Sequence, residues 1–168
     1  MTGAWPSNNP SHYDTRYFAL QPEVAIGEVL GDLPRWSDEV FLRSHLPTGR
    51  LALGRYRILD QLPVLDMDDA QNLLDRGLRP TQVTARNRPV TQSWSLRVFR
   101  EVNSDGSRKW AGIRWWSFQR PHRTMFTLWV APGEPLPHTF VDAMPLSITD
   151  QSVSANDQTS VRQLNCGW

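Results

Sequence analysis

The stretch that most limits what this chain can become is RYFALQPEVAIGEVL, from Arg16 to Leu30. Tyr17, Phe18 and Leu20 make an aromatic, apolar run suited to a buried strand. Pro22 suits the first turn of a helix, where its missing N–H has no partner to lose. Beyond it Val24, Ala25 and Val29 recur at helical spacing and predict a core-facing stripe. Glu28 falls four residues after Val24 and three after Ala25, on or beside that stripe. A carboxylate there is costly unless it has a partner or a task. Two readings stay open: a residue at the stripe's edge whose head reaches water, or a carboxylate held in a cleft by a rigid helix.

Composition narrows the rest. The chain has 168 residues, enough for one domain with its own core, and its eight Trp and six Phe offset a modest 39% hydrophobic content. A net charge of +1 gives no global pull toward nucleic acid or membrane. The lone Cys166 excludes a disulfide framework, and His12, His45, His122 and His138 are scattered, so no metal is expected. There is neither a long apolar run nor a basic-then-apolar leader, so a cytoplasmic protein without membrane association is expected.

Read in order, residues 1–14 are polar and predict a loop or frayed terminus. The folded domain is expected over 15–148, and the polar stretch from Thr149 predicts a disordered tail over 149–168. After the first strand and helix, Gly31 is a candidate C-cap, and Ser37 to Leu42 reads as a short helix with Ser37 as its cap. Leu51 to Leu65 holds one or two strands broken at Pro63. DMDDAQNLLDRGLRP predicts a helix capped by Asp66 or Asp68 and ended by Gly77, with Leu73 and Leu74 inward. A further helix is expected over Thr91–Phe99, then a turn at Asp105-Gly106. Strands follow at Trp110–Phe118, Thr124–Val130 and His138–Ile148, the first of them central because aromatics occupy both faces. Strands and helices mingle without regular alternation, which predicts an α+β fold.

Two constellations could carry chemistry. Ser117 closes the apolar run WAGIRWWSF, either as a strand-end hydroxyl bonded to local backbone or as a group in a cleft mouth. No G-x-S-x-G surrounds it, which argues against a hydrolase nucleophile. Between Arg97 and Arg123 seven residues are basic and two acidic, interleaved with Phe99, Trp110, Trp115, Trp116 and Phe118. That mixture suits phosphates and stacked bases, and so a nucleic-acid strand or a dinucleotide, or else a solvated basic face over an aromatic core. No G-x-G-x-x-G or P-loop accompanies it.

Several stretches together resemble the RES domain, the toxin component of RES–Xre toxin–antitoxin pairs. They are YFALQPEVAIGEV, GRLALGRYRILDQLPVLDMDDAQNLLDRGLRP, RPVTQSWSLRVFRE and WAGIRWWSF, in the family's order over roughly residues 15 to 120. By motif, Glu28 resembles the family Glu, Ser117 the family Ser, and Tyr17, eleven residues before Glu28, the Tyr placed at the site. The family Arg normally lies tens of residues before that Tyr in a Gly-Arg-aromatic context, whereas only sixteen residues precede Tyr17 here and Arg16 has no such context. The resemblance therefore predicts an N-terminally truncated member or one that lost the Arg, with weak or absent catalysis.

What the resemblance implies is an ADP-ribosyltransferase-like fold, two small sheets around a cleft flanked by helices. The implied activity is degradation of NAD as substrate, by cleavage of the nicotinamide–ribose bond with water or phosphate as acceptor. Glu28 and Ser117 would be catalytic and Tyr17 would bind the dinucleotide. Arg114 is the remaining candidate cation for the pyrophosphate, although strand alternation puts it opposite Ser117. An Xre-type helix-turn-helix antitoxin is the implied partner; nucleic acid would be met only through it, and a homo-oligomer stays open. The alternative is a non-enzymatic module that binds nucleic acid or protein through Arg97–Arg123.

Overall fold

The computed structural model describes residues 9–33, 36–46, 49–83, 87–117, 119–120 and 122–149. The expected tail from residue 150, Cys166, and most of the expected N-terminal loop lie outside the described residues. The architecture is α+β, with two small sheets and a few short helices. Strands β1 (Asp14–Ala19), β3 (Val64–Asp66), β4 (Gly112–Trp116) and β5 (Thr124–Val130) form one sheet in the order β1-β5-β4-β3. Strands β2 (Ala52–Ile58) and β6 (His138–Pro145) form the other. Helices α1 (Pro22–Leu30), α2 (Ala70–Leu74), α3 (Pro80–Val83) and α4 (Arg88–Phe99) complete it, with a 3₁₀ turn at Asp38–Phe41. As expected from its aromatics, β4 is an inner strand; it pairs in parallel with β3, Leu65 opposite Ile113.

The chain divides into two compact units, each drawn from three stretches. Of the described residues at the two ends, 9–17 fall in the first unit with Leu59–Trp115 and Phe126–Pro137, and 138–149 in the second with Phe18–Ile58 and Trp116–Met125.

In the first unit the core gathers Tyr13, Leu65, Met67, Leu73, Trp94, Val98, Ile113 and Trp129, with Phe99 and Trp110 packed against it. Tyr13, inside the predicted N-terminal loop, is fully buried, with Phe99 and Trp129 at centroid distances of 4.5 and 5.6 Å. Burial pushes its hydroxyl up to about 12, against the lowering effect of hydrogen bonds to Ser95 and Asn9. Helix α2 is shorter than its motif suggested. Its cap is Asp69, which accepts the N–H groups of Gln71 and Asn72, rather than Asp66 or Asp68. Asp66 instead pairs with Arg114 on the neighbouring strand. With so short a helix only Leu73 turns inward, and Leu74 is 70% exposed. The turn after it closes at Gly77, whose φ of +62° favours glycine. Asn87 caps α4 and Pro89 occupies its first turn. Gly112 lies where a Cβ would come within 1.9 Å of the Thr127 carbonyl oxygen, so a side chain there would force β4 and β5 apart.

In the second unit the core is Ile26, Leu30, Phe41 and Leu146, with Val29, Leu51 and Leu53 against it. Strand β6 is exposed almost throughout, and two strands alone are marginal. Asp38 ties them down. It pairs with Arg50 and accepts the Ile148 N–H at 3.1 Å, while Arg50 also donates to the Leu146 carbonyl. The Arg50 hydrogen bonds, helped by the Ile148 N–H, hold the Asp38 carboxyl down at about 2. Ser37 stands at the cap position of the 3₁₀ turn, but its side chain makes no capping hydrogen bond.

Candidate functional site

The second unit brings Glu28 and Ser117 together. Pro22 starts α1, and Val24, Ala25, Ile26, Gly27 and Leu30 are buried along it, whereas Val29 of the predicted stripe is only half-buried. Glu28, one helical turn after Val24, is half-buried at the margin of that face. The serine side of the pair follows β4, where Ile113 is buried, Arg114 exposed and Ser117 buried at 1% exposure, as strand alternation requires.

The Ser117 hydroxyl donates to Glu28 Oε1 across 89 residues of sequence. The Gln119 N–H donates to the same oxygen at 3.3 Å. Ser117 Oγ in turn accepts the Arg120 N–H at 2.9 Å, and the Ser117 N–H reaches the Arg123 carbonyl at 2.7 Å. One helical turn beyond Glu28, Asp32 accepts from the Gln119 side chain at 2.7 Å. The loop after β4 is thus fastened to the end of α1 at two successive turns. The approach is close: a Cβ on Gly31 would stand 3.1 Å from Gln119 Cδ and 2.4 Å from the Gly27 carbonyl oxygen. Gly31 caps α1 in an ordinary right-handed conformation, so close approach and not a left-handed turn makes glycine fitting there. Glu28 Oε2 has no hydrogen-bond partner among the described residues. The arrangement offers a carboxylate with one oxygen fixed and the other available.

Tyr17 lies in the first unit, half-buried on β1, with its ring edge-on to Trp115 at 6.2 Å. Arg114, the candidate cation, is committed to Asp66 at 2.7 Å. Burial would raise the Asp66 carboxyl, but Arg114 and the Asp68 N–H together bring it below its usual value. Other cations of the Arg97–Arg123 stretch also serve the fold. Arg108 pairs with Glu134 at 2.8 Å and lies over the Phe99 ring, and Lys109 lies over Trp110. Arg108 and Arg114 are thus two of the seven basic residues with carboxylate partners. The N–H groups of Gln119 and Arg120 carry no sequence signal, because any residue type could supply them; the Gln119 side chain adds its bond to Asp32. Among the described residues no group of His, Cys, Asp and Glu could hold a metal ion, and no helix is long and apolar enough to cross a membrane.

The fold and the site define an α+β domain in which a helix-borne carboxylate is fixed by a strand-end serine. The family model of the RES domain matches residues 8–148, and the chain belongs to that family. Neither a curated protein nor a solved structure matches it.

Proposed function

We propose that this chain is an NAD-degrading, toxin-type enzyme on an ADP-ribosyltransferase-like fold, acting in the cytoplasm and silenced by an Xre-type antitoxin. The single observation that carries the reading is the hydrogen bond between Glu28 and Ser117, residues the family resemblance pairs and the chain separates widely. In the reaction the C1′–N bond of the nicotinamide riboside breaks, and its electron pair leaves with the nicotinamide nitrogen. Nicotinamide departs neutral, and positive charge builds on ribose C1′ and its ring oxygen. Water or phosphate then bonds to C1′ on losing a proton. The available Oε2 of Glu28 faces this charge or accepts the ribose hydroxyls, and a fixed carboxylate stabilises the transition state without reorganising. Ser117, itself buried, serves by orienting that carboxylate through Oε1. For Tyr17 the proposal is a stacking or hydrogen-bonding contact with the dinucleotide, on the family resemblance alone.

The test is release of free nicotinamide from NAD by the purified full chain. Release from the parent that falls at least about a hundredfold in a folded Glu28→Gln variant is the expected result. Release unchanged in that variant, or none from the folded parent, overturns the reading.

A further inference from the structure

The first unit carries a hollow of about 300 Å³ between the turn that leaves α2 and the last two turns of α4. Its apolar lining is Leu78, Trp94 and Val98, all nearly buried, so the surface is set by the core. One wall is a finished ion pair. Arg76 donates to both Glu101 oxygens, at 2.8 and 2.7 Å, and its remaining nitrogen reaches the Asn72 carbonyl. Trp110 Nε1 donates to Glu101 as well, at 2.7 Å. This wall is rigid and electrically balanced, and has little left to offer a ligand.

Arg97 is different. It lines the same hollow from the exposed side of α4, and its guanidinium makes no hydrogen bond or ion pair among the described residues. A guanidinium beside an apolar floor matches one chemistry, a planar carboxylate with an apolar body, because the fork can take both oxygens at once. Asp75 on the rim sets a limit. It is exposed and engaged by Gln71 through one oxygen, and its charge opposes a second negative charge on the ligand. A phosphate dianion or a nucleotide's pyrophosphate is therefore disfavoured. The volume is at the small end for ligand sites, which suits a single ring or branched chain.

We propose that this hollow is a binding site for small apolar monocarboxylates, with Arg97 as the carboxylate anchor and Trp94 and Val98 as the floor. The proposal is independent of the NAD reading, since no residue that lines the hollow has a part in that reading.

The experiment titrates 3-phenylpropanoate into the full chain and follows the indole N–H resonances of its eight tryptophans by NMR. Trp94 Nε1, which donates to the Gln82 carbonyl at 3.2 Å, is the reporter. Saturable movement of the Trp94 signal at millimolar ligand is expected. Replacing the acid by 3-phenylpropanamide, or making Arg97→Gln, should weaken binding about tenfold or more, whereas Arg97→Lys should retain part of it and Glu28→Gln all of it. Arg97 is exposed, so its variants should stay folded, which the undisturbed spectrum will report. The proposal is overturned if the folded protein shows no Trp94 movement at ~20 mM acid. It is equally overturned if the amide binds as well as the acid, if Arg97→Gln leaves affinity unchanged, or if inorganic phosphate moves the same signal.

Discussion

Removing the Ser117 hydroxyl tests whether the link between α1 and the loop after β4 is an energetic unit. In Ser117→Ala, Glu28 Oε1 keeps only the long contact to the Gln119 N–H, and the Arg120 N–H loses its acceptor. A hydrogen bond to a charged group contributes about 1.5–3 kcal/mol, and a donor left unsatisfied adds about 1 kcal/mol more, so the expected loss is about 3 kcal/mol. Glu28→Gln should cost less, about 1 kcal/mol, because the amide oxygen still accepts while the charge is gone. The double variant should then be less destabilised than the sum by about 1 kcal/mol, since without the hydroxyl the Glu28 charge has no such bond left to strengthen. The assay is urea unfolding followed by tryptophan fluorescence. With a slope of about 2 kcal/mol/M, Ser117→Ala should lower the midpoint by about 1.5 M. Additive single changes, with a coupling below about 0.3 kcal/mol, would refute the reasoning. The pair would then be two neighbours sharing a site without holding it.

Two further outcomes follow from the first unit. Gly112→Ala puts a Cβ into backbone of β5 that cannot rotate away, so separating the strands and weakening the Trp129–Ala111 hydrogen bond should cost at least about 3 kcal/mol; a midpoint unchanged in urea would show that the strands do not meet as described. Burial would raise the Glu101 carboxyl, but Arg76 and Trp110 bring it below the ordinary glutamate value. Its pKa is depressed in the folded state, so its share of stability is present above about pH 4.3, the unfolded value, and is lost as pH falls through the folded one. Glu101→Gln should therefore be less stable than the parent at neutral pH, and the gap should close in acid; a gap independent of pH would contradict the assignment.

Much of this was legible in the residues. Pro22 announced α1, the alternation in WAGIRWWSF set which side of β4 turns inward, and Thr124–Val130 is a strand over that range. What misled was local chemistry with several equivalent answers. Three aspartates crowd the start of α2, and spacing could not say that Asp69 would cap while Asp66 went to Arg114 on another strand. Leu73 and Leu74 look alike until the helix is known to be only five residues long. Tyr13 reads as part of a polar terminus because the aromatic partners that bury it, Phe99 and Trp129, are far along the chain. At the site, the placing of Glu28 on its helix and of Ser117 at a strand end could be read. The bond between them, and the backbone donors of Gln119 and Arg120, could not, since both depend on a long-range closure that no local pattern records.

That closure fixes when the site can exist during synthesis. A ribosome makes α1 early, yet the hydroxyl and the N–H that orient its carboxylate come 89 and 91 residues later. Contacts of such separation form late, after the intervening loop entropy has been overcome. The nascent N-terminal portion therefore carries its acid without the groups that aim it. A cell making this protein has an interval, set by translation itself, in which the growing chain lacks its assembled centre.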